Sequence, residues 1–161
     1  MKTHRKTVWL LLVVYIFLLA YFTLMDNTFG RNIFNIKNLS YQAFVNYINN
    51  SVNLIPFATI KLYISGLKNN AISTGYFVVN ILGNLLLLMP LAFFAPTLVC
   101  KINRFYKFVM VIFAVSILIE ILQILFLTGS CDIDDVILNV LGAALAYPLF
   151  KKLDRVEHAK N

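Results

Sequence analysis

Four long apolar runs are the feature that most constrains the fold of this chain. They cover about 7–25, 76–98, 106–127 and 133–150, and each is close to the roughly 20 residues with which an α-helix crosses a bilayer. The sequence is 60% hydrophobic and 13% charged, which is too apolar for a soluble domain that must cover its core with polar side chains. We therefore predict an all-α integral membrane bundle of about four transmembrane helices, forming a single domain over residues 1–161.

The positive charges predict how these helices are oriented. The net charge is +7, and most lysines and arginines precede the first run, lie between the second and third, or follow the fourth. The positive-inside rule then places both termini in the cytoplasm and the long 26–75 loop on the extracytoplasmic side. Basic residues in these positions indicate contact with the anionic surface of a lipid bilayer, and we expect no nucleic-acid partner.

The 26–75 loop carries its own helical pattern. Apolar residues recur at helical spacing around 41–48 and 60–67, which predicts two short amphipathic helices on the outer surface of the membrane. Between them lies Asn53-Leu-Ile-Pro-Phe57, whose proline ends any helix. This pentapeptide either dips into the outer leaflet or joins the two helices along the interface, with Phe57 as an anchor.

Polar side chains inside the last three runs form the candidate site. They are Asn80, Asn84, Glu120, Gln123, Asp132, Asp135 and Asn139. At the helical rise per residue, all of them fall in the outer third of the bilayer. Residues that only bond neighbouring helices would not be expected to share one depth. We therefore predict a single polar pocket that opens outward.

The start of the fourth run combines several of these residues. Helical geometry brings Asp132, Asp135, Asn139 and Gly142 onto one stripe and turns Asp134 about 100° away from it. Asp132 can cap the helix, and Asp135 stands at the far position of a capping box. We expect Asp134 to matter least.

Two kinds of chemistry are open to this set of residues. Glu120, Asp135 and Asp132 are the candidate catalytic residues, because clustered carboxylates in a low dielectric are suited to acid–base work. Asn80, Asn84, Gln123 and Asn139 are candidate binding residues for a phosphate or sugar. The carboxylates could instead hold a divalent cation such as Mg²⁺. The structural alternatives are an asparagine that only bonds a neighbouring helix and a neutral, hydrogen-bonded Glu120.

Four ordered motifs between residues 53 and 147 resemble the VanZ-like family of bacterial membrane proteins. They are Asn53-Leu-Ile-Pro-Phe57, Asn80-Ile-Leu-Gly-Asn84 continuing to Pro90, Glu120-Ile-Leu-Gln123, and Asp132-Ile-Asp-Asp135 with Asn139-Val-Leu-Gly142. The chain departs from the family pattern at Ala92, Ala143 and Ala146, where glycine is usual. Each change replaces one small residue by another.

The resemblance implies a four-helix, multi-pass protein of the bacterial cytoplasmic membrane. The family is named for a protein that raises resistance to the glycopeptide teicoplanin, and its members have been likened to membrane enzymes that act on lipid head groups. It therefore implies a hydrolase or transferase for an envelope lipid or cell-wall-precursor head group. The alternative is a non-catalytic binder, or a partner subunit, that sequesters or shields an envelope lipid or glycopeptide. A small ion or proton carrier fits less well, because the polar residues stop at mid-membrane.

Overall fold

A computed structural model of the chain describes residues 2–25 and 40–160. The first part of the predicted loop, 26–39, lies outside the described residues. Helices dominate the described part, and the elements are as follows. They are α1 (Lys2–Ala20) with a π-helical turn (Tyr21–Met25), α2 (Tyr41–Ser51), β1 (Val52–Asn53), α3 (Ala58–Lys68), α4 (Thr74–Leu87), α5 (Leu91–Leu98), a 3₁₀ turn (Cys100–Ile102), α6 (Phe105–Leu125), β2 (Cys131–Asp132) and α7 (Ile133–Lys160).

Four stretches are long and apolar enough to cross a membrane. They are Arg5–Leu24, Thr74–Leu98, Phe105–Leu125 and Ile133–Lys152, which agree with the four predicted runs to within about two residues. The prediction of a mainly helical chain with four helices long and apolar enough to span a membrane is therefore confirmed. We call the end of the bundle that carries α2, α3 and β2 the loop end, and the opposite end, where Lys101, Arg104 and Lys151 lie, the basic end.

The second span is interrupted at its proline. Helix α4 ends at Leu87, α5 begins at Leu91, and Leu88–Pro90 form a turn between them. Proline at 90 has no N–H to continue the helical hydrogen bonds, and the Tyr15 hydroxyl of α1 donates to the Leu87 carbonyl at 2.6 Å. The second span is therefore kinked here, and the first span satisfies a carbonyl that the kink would otherwise leave unpaired.

Small residues bring the spans into close contact. Ala92, Ala143 and Ala146 are buried in the main core, together with larger side chains such as Phe108 and Ile112. The three alanines that replace family glycines therefore all lie at helix contacts. Small residues allow transmembrane helices to approach closely, which is the main source of their packing energy in lipid.

The two helices predicted in the loop are present, and they differ in how they begin. The Ser40 side chain accepts the Ala43 N–H at 3.2 Å and so caps α2. The α2 helix lies against the turn before β2, because the Tyr47 hydroxyl donates to the Gly129 carbonyl. By contrast, α3 begins after Phe57, which has a left-handed backbone and no side-chain cap.

Gly142 lies at a very close contact between α7 and α4. A Cβ atom built there would lie 1.7 Å from the Leu85 carbonyl oxygen of α4. We expect Gly142→Ala to destabilise the bundle by about 1–3 kcal/mol or more, because backbone atoms must separate to admit the methyl group. Unfolding by SDS titration, followed by circular dichroism, measures this. Gly75→Ala is the matched control, since its Cβ meets nothing nearer than 3.9 Å; equal stabilities would contradict the tight contact.

Candidate functional site

A short parallel bridge joins the loop to the start of α7. Val52 pairs with Cys131, and Asn53 pairs with Asp132. The Asn53 side chain then folds back on its own segment, because its Oδ1 accepts the Ile55 N–H at 3.2 Å and its Nδ2 donates to the Thr59 hydroxyl at 2.9 Å. The pentapeptide that begins at Asn53 is therefore fixed against α7 by backbone and side-chain contacts.

Asp132 combines a cap with a contact to the loop. Its Oδ1 accepts the Asp134 N–H at 2.9 Å, which caps α7 as predicted. The same oxygen accepts from the Asn53 amide at 3.5 Å, and the Oδ2 atom of Asp132 accepts from the Thr59 hydroxyl. The side chain is 5% exposed. Both of its oxygens are therefore used in holding the loop and the helix together.

Asp134 caps a helix that is distant in sequence. Its two oxygens accept the backbone N–H groups of Phe57 and, at 3.1 Å, of Ile60, at the start of α3. Phe57 has φ of 65°, a costly conformation for a bulky residue. Asp134 is only 1% exposed. The expectation that it matters least was wrong for the structure, because it turns toward the loop.

Glu120 completes the cap of α7 from a neighbouring helix. Its Oε2 accepts the Asp132 N–H at 2.9 Å, and the side chain is 3% exposed. In a capping box, this N–H would be bonded by the side chain at 135. Glu120 supplies the bond instead, and so ties the end of α6 to the start of α7.

Asp135 faces the second span. It accepts a hydrogen bond from the Asn84 side-chain amide of α4. Among the four carboxylates that the structure describes at the loop end, Asp135 is half-buried, whereas Glu120, Asp132 and Asp134 are buried. We call Glu120, Asp132, Asp134 and Asp135 the loop-end carboxylates. The predicted meeting of Asn84 and Asp135 is present.

Asn139 lies deeper in the bundle. Its Nδ2 donates to the Ser116 hydroxyl of α6 at 3.0 Å, and the side chain is 1% exposed. Its Oδ1 is buried and has no hydrogen-bond partner among the described residues. An unmatched amide oxygen in an apolar interior costs free energy. Asn139 therefore links α6 and α7 but leaves one acceptor unused.

Two predicted binding residues bond backbone carbonyls. Asn80 donates to the Tyr76 carbonyl of its own helix at 2.8 Å. Gln123 donates to the Thr23 carbonyl of the first span at 3.1 Å. These contacts do not involve a carboxylate, and the binding roles of Asn80 and Gln123 stay predictions. On α6, Gln123 lies next to Glu120 at a position that borders two neighbouring helices. Sequence spacing does not select between these helices, and in the structure Gln123 bonds the first span.

Four residues at the site were not among the predicted site residues. They are Asn53, Thr59, Tyr63 and Asp134. Asn53 belonged to a noted motif, and Asp134 was a costly carboxylate at the head of an apolar helix, so both offered a signal. Thr59 and Tyr63 offered none, because the carboxylates they approach lie about seventy residues away in the sequence.

Tyr63 is linked electrostatically to the loop-end carboxylates. Burial raises its pKa above the ordinary value of 10.0, and Tyr76 and the charges of Asp135 and Asp132 raise it further. Tyr63 therefore remains a protonated phenol at neutral pH. Such a hydroxyl is a hydrogen-bond donor that stays neutral beside the carboxylates.

The donor arrangement does not match a metal site. Within the described ranges, no group of three or more His, Cys, Asp or Glu side chains is placed to hold a metal ion. Asp132 and Asp134 direct both of their oxygens to loop donors. The Mg²⁺ option therefore gains no support from the geometry of these residues.

The contacts of Asp134 generate a prediction about the loop. We expect Asp134→Ala to expose the N–H groups of Phe57 and Ile60, because their acceptor is removed. Amide hydrogen exchange of the purified protein should then speed up over 57–60 by at least tenfold, which a loss of about 1.4 kcal/mol would produce. Ser40→Ala is the control, since its effect should stay at the start of α2. Unchanged exchange at 57–60 would contradict the capping role.

Comparison with known proteins identifies the family. A family model described as VanZ/LLP1 matches residues 12–154, which is most of the chain. Comparisons with curated proteins and with solved structures found no match. The matched region contains every residue of the site described above, and the chain belongs to the VanZ/LLP1 family.

Proposed function

We propose that the protein acts on the head group of an envelope lipid or lipid-linked cell-wall precursor, with Asp135 as the acid–base residue. The observation that carries the proposal is the difference among the loop-end carboxylates. Three are buried and bonded to backbone or loop groups, whereas Asp135 is half-buried and bonded to the side chain of Asn84. A general acid or base must be reachable by the substrate.

The neighbours of Asp135 have supporting roles in this proposal. The Asn84 amide orients the carboxylate by donating to Oδ1. Tyr63, which is protonated at neutral pH, supplies a neutral donor for an oxygen that gains negative charge during transfer. Glu120 and Asp132 are positioning residues, because they hold the start of α7 and the loop in place.

We place this site on the extracytoplasmic side of the bacterial cytoplasmic membrane. The basic end carries exposed Lys101, Arg104 and Lys107 between two spans, a pattern typical of cytoplasmic loops. The loop end then faces the envelope, where lipid-linked cell-wall precursors and glycopeptides meet. Membership of the VanZ/LLP1 family is consistent with an effect on teicoplanin resistance.

A non-catalytic binder is the second candidate. This function is favoured by the hydrogen bonds of Glu120 and Asp132. These bonds hold α6 and the start of α7 in one rigid arrangement, as a binding surface requires. Such a protein would sequester or shield the lipid or glycopeptide without changing it. The two functions differ in whether the Asp135 carboxylate must transfer a proton.

Asp135→Asn distinguishes these functions. If Asp135 transfers a proton, we expect this variant to lower conversion by about 10²-fold or more. Glu120→Gln should retain more activity, because its amide oxygen can still accept the Asp132 N–H. The measurement is lipid and precursor mass spectrometry, with teicoplanin survival, on cells that express native or variant protein at equal levels.

The Asn84→Asp/Asp135→Asn exchange is the control for that experiment. It preserves an amide–carboxylate pair but moves the carboxylate to α4. An enzyme that needs the carboxylate on α7 should stay inactive, whereas a binder should recover. Native conversion by Asp135→Asn would exclude the catalytic proposal, and protection without any changed lipid would favour the binder.

The proposed orientation has a separate test. Cys131 is a poor reporter, because burial raises the pKa of its thiol, and the charges of Glu120, Asp132 and Asp135 raise it further. We therefore place single cysteines by Ser130→Cys and Lys101→Cys, both at exposed positions, in a Cys100→Ser/Cys131→Ser background. A membrane-impermeant maleimide should label residue 130 in intact cells and residue 101 only after lysis. The reverse pattern would invert the proposed topology.

A further inference from the structure

An open groove lies between α3 and the start of α4. Its volume is about 680 Å³, within the range of pockets that bind small molecules. The residues that line it come from α3, from the following turn and from the first turn of α4. They are Leu62, Tyr63, Ser65, Gly66, Asn69, Ala71, Ile72, Ser73 and Tyr76.

The chemistry of the groove selects an uncharged and mostly apolar occupant. No lysine, arginine, aspartate or glutamate is among its lining residues. Leu62, Ile72 and two tyrosine rings provide apolar surface, and the rings of Tyr63 and Tyr76 pack edge to face with centroids 5.8 Å apart. An ionised group placed there would lose hydration without gaining a partner of opposite charge.

The position of the groove indicates where this occupant comes from. Tyr76 lies in the first turn of the span Thr74–Leu98, so the groove opens at the boundary of the membrane. Nearby apolar side chains are exposed, with Leu62 at 68% and Ile55 at 69%. Exposed apolar groups beside a span are typical of a surface in contact with lipid.

Tyr63 connects the groove to the carboxylates. Its side chain lines the groove and also lies close enough to Asp135 and Asp132 for their charges to raise its pKa. The wall formed by α3 is in turn fixed by Asp134, which bonds the first turn of that helix. The α3 wall of the groove is therefore fixed relative to the start of α7, where Asp135 lies.

We propose that this groove binds the apolar chain of one membrane lipid, so that the attached head group lies over Asp135. The inference names the substrate class of the proposed function and depends on it for the chemistry. Chain binding itself does not depend on Asp135, which is absent from the groove lining. The two proposals can therefore fail separately.

Photo-crosslinking in a bilayer tests the proposal with the full chain. The protein is reconstituted in phosphatidylglycerol vesicles that contain a trace of phosphatidylglycerol with a diazirine in one acyl chain. We expect several-fold more crosslinks at Leu62, Ile72 and Tyr76 than at Leu118, a similarly exposed side chain on α6. Equal yields at all four positions would show only passing lipid contact and would overturn the proposal.

Three substitutions sharpen this test. Ala71→Trp fills the groove from an exposed position and should reduce groove crosslinks about tenfold without affecting Leu118. Ile64→Trp adds the same ring to α3 outside the groove and should have no effect. Leu62→Ala, which removes apolar contact without adding bulk, should lower the yields at Ile72 and Tyr76 several-fold. Circular dichroism verifies that each variant is folded.

Other outcomes identify other occupants. If millimolar N-acetylglucosamine suppresses the groove crosslinks, the groove binds a soluble sugar and the lipid proposal is wrong. If Asp135→Asn keeps the native crosslinks but loses conversion, both proposals stand. If Asp135→Asn keeps native conversion while Ala71→Trp abolishes the crosslinks, the lipid groove stands and the catalytic role of Asp135 falls.

Discussion

The cap that Asp134 provides for α3 is the interaction on which the loop end depends. A carboxylate at the start of one helix bonds the first turn of another, so the positive ends of both helix dipoles meet the same buried anion. The contact also holds Phe57 in its left-handed conformation. Without it, the first turn of α3 would have no side-chain cap, and α3 would keep its Thr59–Asp132 bond to α7 but lose the two bonds to Asp134.

This arrangement explains why four carboxylates are gathered where burial is costly. Asp134 bonds the loop, Asp132 bonds both the loop and its own helix, and Glu120 bonds the Asp132 N–H. Each of these charges is matched by donors, which is the condition for a buried carboxylate to be tolerated. Because Glu120 occupies the place of a capping-box partner, Asp135 is available to face Asn84. The distribution of caps thus sets the role proposed for Asp135.

Most of the fold could be predicted from the sequence, because its main signals are local. Run length and apolarity identified the four candidate spans, and periodicity identified α2 and α3. The stripe of Asp135, Asn139 and Gly142 also faces neighbouring helices as expected. Helical geometry is rigid enough to give such faces from spacing alone.

The loop contacts could not be predicted because they depend on tertiary structure. Asp134 was placed off the functional stripe by a helical wheel, but a wheel does not show that α3 covers that side. The position of α3 places Thr59 and Tyr63 at the site, and the first span provides the Thr23 carbonyl that Gln123 bonds. The depth in the membrane, estimated from the helical rise, located the polar residues along the spans. Helix packing determined which partner each of them bonds.

The cap that Asp134 provides for α3 also links the proposed lipid groove to the start of α7, where Asp135 lies. One face of α3 provides Leu62 and Tyr63 to the groove, and the first turn of the helix is bonded by Asp134. Asp134 and Asp135 are adjacent on α7, so a single turn of helix fixes both the groove wall and the carboxylate beside it. A lipid chain and its head group differ in polarity and need adjoining apolar and polar surfaces. In the proposed function, Asp134 and Asp135 serve these two surfaces separately. Asp134 fixes the apolar wall that α3 provides, and Asp135 is the polar group beside it, so that no large cavity inside the membrane bundle is required.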